Sequence, residues 1–140
     1  MIRLFTVLFF MLTSSAYAAD MTIDMLNKDA NGNKMVYSTE IAKIAVGDEI
    51  TWLPASKGHN VHFLAGPDGW DIPKKSKFNK EVSMKFDIPG IYFYQCTPHK
   101  SMGMIALIVV GGDISNKDAI SKIKTFGKSK KKFPKLLEQL

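Results

Sequence analysis

The sequence predicts an all-β domain, an antiparallel sandwich or barrel, with two short helices at its C-terminal end. Short runs rich in β-branched and aromatic residues recur between turn residues, and one of them keeps strict period-2 alternation. From residue 113 onward the apolar spacing becomes helical.

Residues 1–18 read as a secretory signal peptide. Arg3 supplies the positive charge, Leu4 to Leu12 are apolar, and Ala16-Tyr17-Ala18 offers the small-x-small cleavage pattern. The apolar run is too short to span a bilayer as a helix. Cleavage would leave a mature chain from Ala19, the length of one domain. The expected division is 1–18 signal, 19–112 β domain and 113–140 helical extension, exported to the periplasm and monomeric.

The strands follow in order. Thr22, Asp24 and Leu26 alternate imperfectly with Ile23 and Met25. Ile41 to Val46, a Gly47-Asp48 turn and Glu49 to Leu53 predict two strands meeting at a bend, and Asn60 to Ala65 another. Val82, Met84, Phe86 and Ile88 alternate with Ser83, Lys85 and Asp87, a half-buried strand closed by Pro89-Gly90. Ile91 to Gln95 starts the next strand, and the unbroken apolar run Met104 to Val110 suits a central one. Leu64 to Trp70 is left without an element. In the tail, Ser115 is placed as an N-cap with Asp118 three residues on. Ala119, Ile123 and Phe126 form one helical stripe, and Phe133, Leu136, Leu137 and Leu140 a second beyond a basic linker, Lys128 to Lys132.

Hydrophobic residues make up 46% of the chain, enough to bury a core at this size. The net charge is +6, and losing Arg3 leaves +5. Residues 19–112 hold ten lysines and ten acids, so the body is neutral. Residues 113–140 hold eight lysines against three acids, the whole of the +5. Export and the lack of any groove-reading motif argue against nucleic-acid binding. There is one cysteine, Cys96, so no internal disulfide can form. A lone thiol in an oxidising compartment needs protection or a function.

Its neighbours supply the function. Cys96-Thr-Pro-His99-Lys-Ser-Met102-Gly-Met104 places a thiolate, an imidazole and two thioethers in one loop between strands. With one more imidazole this is the two-histidine, one-cysteine set with a weak axial methionine that suits copper in electron transfer. His59, after Ser56-Lys57-Gly58, is the candidate for that distant ligand. His62 would point to the opposite face of an extended strand. Asn60, beside His59, can join the two ligand segments through its amide and reach the Cys96 sulfur through its N–H. Pro98 has no N–H to give that sulfur. The compact donor set favours a carrier over a copper chaperone or store. A cysteine hydrolase, with Cys96 as nucleophile and His99 as base, would need an unusual layout. A sandwich with a chance Cys/His loop would leave the His59 segment unexplained.

These residues resemble the cupredoxin family, its pseudoazurin branch in particular. The resemblance rests on Met25-Leu-Asn-Lys28, Val46-Gly-Asp48, Lys57-Gly-His-Asn60, the Met102-Gly-Met104 form of the loop and the basic helical tail. It implies a Greek-key sandwich and one copper ion held by His59, Cys96, His99 and Met104. It also implies one-electron transfer through the edge of His99, not enzymatic turnover. A periplasmic reductase, such as a copper nitrite reductase, would be the acceptor and a cytochrome c a possible donor. Lys28, Lys57, Lys100 and Met102 are the expected docking residues, with Lys74, Lys75 and Lys77 undecided. Gln95 departs from the family, which carries a lysine before the cysteine.

Overall fold

The computed structural model describes residues 19–140; the expected signal peptide lies outside them. Eight strands build two four-stranded sheets packed as a sandwich. They are β1 (Asp20–Lys28), β2 (Lys34–Tyr37), β3 (Ile41–Ile44), β4 (Glu49–Leu53), β5 (His62–Ala65), β6 (Val82–Lys85), β7 (Gly90–Gln95) and β8 (Ile105–Val110). One sheet has the order β2-β1-β4-β6 and the other β3-β8-β7-β5. Two helices follow, α1 (Lys117–Ser121) and α2 (Ser129–Leu137).

The purely antiparallel arrangement expected from the sequence is corrected: both sheets are mixed. β1 runs parallel to β4, and β3 runs parallel to β8. The chain crosses to the other sheet between β2 and β3 and returns with β4, so that β4 enters beside β1 in the same direction. Strand patterning reports which face is buried and carries no information on the direction of the partner.

Burial explains two patterns in the sequence. Along β6 and beyond, Ser83, Lys85 and Asp87 are exposed while Phe86 is buried, as a strand with one wet face requires. β7 and β8 are instead buried at every position. Their inner face packs into the sandwich with Ile23, Met25, Trp52, Phe63 and Phe86. Their outer face is covered by Ile120, Phe133, Leu136 and Leu137 from the helices. Burial on both faces is why Ile105 to Val110 carries no polar residue.

β2 has no counterpart in the sequence reading. Met35 takes φ 53°, and this twist disrupts the alternation that would have marked the strand. The helix starts also differ from expectation. Ser115 donates its N–H to Asp113 and does not cap α1; Asn116 occupies the cap position. Its side-chain amide accepts from Ile91 N–H and donates to Ile91 O, fastening α1 to β7. Most of the expected basic linker, Lys130 to Lys132, lies inside α2. The Leu64–Trp70 segment finishes β5 and then lays Trp70 over Phe63 and Tyr92, at ring-centroid distances of 5.2 and 4.7 Å. Gly66 permits this, because a Cβ there would lie 2.4 Å from the Trp70 ring.

Candidate metal centre

β7 places Tyr92, Tyr94 and then Cys96 on the inward face at two-residue spacing. The chain then turns sharply through Thr97–His99, a single 3-10 turn for which Pro98 sets the φ angle. Cys96 donates its N–H to Met104 O at 3.0 Å, and Met104 donates its own to His99 O at 3.3 Å. The loop is therefore closed at its neck before any side chain is considered. Gly103, at φ 96°, makes the return bend.

His59 arrives from the connection between β4 and β5. Gly58, at φ 92°, turns the chain inward. Asn79 brackets the turn, accepting Gly58 N–H at 2.6 Å and donating its own N–H to His59 O at 3.1 Å. His59 is completely buried, and its Nε2 lies 2.8 Å from Asn27 Oδ1. An amide oxygen there holds the proton on Nε2 and leaves the Nδ1 lone pair free. Asn27 stands in the Met25–Lys28 segment, but its role had no mark in the sequence.

Three donors converge. His59 Nδ1 and His99 Nδ1 are 3.1 Å apart, and Cys96 Sγ lies 3.6 Å from the first and 3.4 Å from the second. Imidazole and thiolate bonds to a divalent metal of about 2.0–2.3 Å would set three planar donors roughly 3.6 Å apart. The observed spacing fits one ion. Met104 is fully buried in the same core cluster as Cys96, whereas Met102 is 43% exposed. His62 stays outside the group, with its Nδ1 3.3 Å from Thr97 Oγ1.

The surroundings favour the neutral forms of all three donors in the metal-free protein. Burial pushes the Cys96 thiol above its ordinary value, partly offset by the N–H groups of Asn60 and His99, which favour the thiolate. Desolvation lowers both His59 and His99, and His59 is lowered further by its neighbour. Two neutral imidazoles and a thiol that ionises on binding are suited to copper. Asn60 bonds to the residue after Cys96: its Oδ1 accepts Thr97 N–H at 2.8 Å and its Nδ2 donates to Thr97 Oγ1 at 3.0 Å. Its carbonyl accepts the buried Tyr37 hydroxyl at 2.8 Å. Pro98 is exposed beside half-buried His99.

A second support was not foreseen. Ser129, fully buried at the start of α2, donates from Oγ to Lys100 O at 2.5 Å. Lys128 N–H donates to Ser101 O at 2.9 Å, and Lys132 Nζ donates to Gly103 O at 2.8 Å while pairing with Glu40. The tail thus grips three carbonyls of the ligand loop, those of Lys100, Ser101 and Gly103. Lys28, Lys57, Lys74, Lys75 and Lys77 are exposed. The Lys100 ammonium is drawn over the Phe126 ring, 4.9 Å from its centroid. Burial lowers the proton affinity of His62, and the charges of Lys75 and Lys100 lower it further.

Residues 23–111 match the family of copper binding proteins described as plastocyanin/azurin. A pseudoazurin of Methylorubrum extorquens is 36% identical over 130 residues, covering 91% of this chain and 86% of its own. The crystal structure of native pseudoazurin from Hyphomicrobium denitrificans superposes with a TM-score of 0.80 at 34% identity, over 87% of this chain and 98% of that one. That from Methylobacterium extorquens AM1 gives 0.79 at 36% identity, over 86% and 98%. The chain belongs to the plastocyanin/azurin family of copper-binding proteins, in its pseudoazurin branch, and His59, Cys96, His99 and Met104 are arranged as its site for one copper ion.

Proposed function

We propose that this protein is a periplasmic one-electron carrier whose copper cycles between Cu(I) and Cu(II), with no substrate turned over. The observation that carries this reading is the mutual contact of His59 Nδ1 with His99 Nδ1 and Cys96 Sγ, at 3.1–3.6 Å, the latter two on a loop closed by backbone bonds. Donors already held at bonding separation need little rearrangement when the charge of the ion changes. Cys96 would supply the thiolate, His59 and His99 the imidazoles and Met104 a thioether, and the copper they hold would supply the one-electron redox chemistry. With those positions filled, no coordination site is left for a substrate, whereas a catalytic metal keeps one open.

Electrons enter and leave at half-buried His99, whose loop carries exposed Pro98 and Met102. Lys57 and Lys100 stand close to the imidazole ligands in sequence and, with Lys28, would favour an acidic partner. A copper nitrite reductase is the proposed acceptor and a cytochrome c the donor. Export follows from the signal-like residues 1–18, and no described helix is long and apolar enough to cross a membrane. The test is to load the purified chain with Cu(II), record its visible spectrum, and mix the reduced form with candidate periplasmic reductases. An intense thiolate charge-transfer band and rapid reoxidation are expected. A colourless Cu(II) complex would overturn the reading.

A further inference from the structure

An unbroken stack of aromatic rings leads from the metal site through the sandwich to a partly exposed tryptophan. Tyr94, one two-residue step from Cys96 on the same face of β7, lies 5.4 Å from Trp52 and 5.2 Å from Phe63 between ring centroids. Trp52 and Phe63 are 5.8 Å apart, and Phe63 is 5.2 Å from Trp70. Such separations put ring edges in van der Waals contact. Tyr94, Trp52 and Phe63 are buried, and Trp70 is the half-exposed outer end. Trp70 covers Tyr92, so four residues of strand, about 13 Å, separate it from Cys96.

Packing alone does not account for two of these groups. Trp52 Nε1 and the Tyr94 hydroxyl are buried without a hydrogen-bond partner among the described residues. They are polar neighbours of one another, in a geometry too poor for a formed bond. Each such group costs about 1–3 kcal/mol. Neither is a base. An oxidised indole with no base beside it keeps its proton, stays a strong oxidant and draws an electron from the next donor. A hydrogen-bonded indole would lose the proton and trap the radical. Trp70 and Trp52 are therefore the oxidisable stations, while Phe63 and Tyr94, which an indole cation does not oxidise, only bridge them and the metal site by ring contact.

We propose that Trp70, Phe63, Trp52 and Tyr94 form an electron relay through which the reduced metal site quenches radical oxidants that strike Trp70. The relay rests on the copper-carrier reading above. A one-electron oxidant takes an electron from the Trp70 indole and is itself reduced. The indole cation is refilled by an electron that leaves the site through Cys96 and crosses the stack, so Cu(I) becomes Cu(II). No atom or proton is transferred within the protein, and the carrier's ordinary donor restores the reduced state. The port differs from the His99 edge, so partner binding there leaves it open.

The test uses the full mature chain loaded with copper and reduced. Flash-generated tris(bipyridyl)ruthenium(III) serves as the oxidant, with the indole radical and the thiolate–Cu(II) band followed together. The indole signal should decay as the band rises, and Trp70 should remain unmodified by mass spectrometry after repeated flashes. Apoprotein should accumulate oxygen adducts on Trp70. Trp52→Phe should keep the steady visible spectrum, lose the fast phase and expose Trp70 to adducts even when loaded. Trp70→Phe, a change at the surface, should lose the indole signal and slow oxidation of the site. Native kinetics and native Trp70 protection in Trp52→Phe, or native oxidation of the site in Trp70→Phe, would overturn the relay. The carrier reading fails separately, if copper loading yields no visible band before any flash.

Discussion

Ser129 and Lys100 are 29 positions apart in the chain and joined by a partly buried 2.5 Å hydrogen bond, with the hydroxyl of the first donating to the carbonyl of the second. The bond ties the helical tail to the residue that directly follows the ligand His99. Gly127 makes the approach possible, since a Cβ there would sit 2.4 Å from Ser101 O. The tail is therefore part of the metal site's frame as well as a cover for the outer face of β7 and β8.

Ser129→Ala should lower unfolding stability by about 1 kcal/mol, because it leaves the partly buried Lys100 carbonyl without its donor. Urea denaturation of the apoprotein reads this. Amide hydrogen exchange should quicken at Ser101 to Met104 and remain native in β1 and β4. Unchanged exchange in the ligand loop would show that the tail covers the loop without stiffening it.

Substitutions at the sulfur donors separate their roles. Cys96→Ser should abolish the charge-transfer band and leave a folded domain, since the thiolate supplies the transition and the two core clusters supply the fold. Met104→Leu should keep copper and raise the redox potential, because an axial thioether favours Cu(II) over Cu(I). Met102→Leu, at a 43% exposed position, should change the potential little. The reverse order in voltammetry would make Met102 the ligand.

Copper loading should release about one proton at pH 7. The Cys96 thiol is held above its ordinary value and enters protonated, while His59 and His99 are held below theirs and enter neutral. As pH falls below the ordinary imidazole range, both histidines must also be deprotonated, and affinity should fall more steeply. The apoprotein itself should lose stability as pH falls through that range. Unfolded histidines then bind protons that the folded ones, with depressed values, refuse. Calorimetric titration in buffers of different ionisation enthalpy counts the protons. A count of zero at pH 7 would mean that the thiol is already ionised.

Much of the site was legible because its donors are local. Cys96, His99 and Met104 lie in one loop, and soft sulfur beside imidazole has few other uses. Long-range supports left no such mark. Asn27 reaches His59 across 32 positions, and a serine or asparagine at such a distance looks like any polar residue. Ser129 was hidden for the same reason, inside a lysine-rich stretch that reads as a solvated linker. In the fold, buried faces could be read from β6 and β8, but the parallel pairing of β1 with β4 could not. β2 was lost to the positive φ of Met35, and the cap of α1 to Asn116, whose amide is committed to Ile91.

Partner docking at the His99 face should depend on salt. The body of the chain is neutral, so attraction has to come from local lysines, and Lys57 and Lys100 flank the two imidazole ligands in sequence. Steering by such charges acts on the association rate and is screened beyond about 8 Å at physiological ionic strength. In stopped-flow transfer to an acidic-surfaced redox protein, rates should fall as salt rises. Lys57→Glu should slow transfer at low salt without altering the visible spectrum. Lys100→Glu should do the same with a second effect, because its ammonium rests on Phe126 and its loss also loosens the tail beside the loop. Lys85→Glu, on β6 and outside the ligand loops, serves as the control and should behave as the native protein does. A flat salt response in the native protein and both docking variants would remove electrostatics from docking. Contact would then rest on the apolar rim of Pro98 and Met102, where Met102→Lys should weaken transfer at every ionic strength.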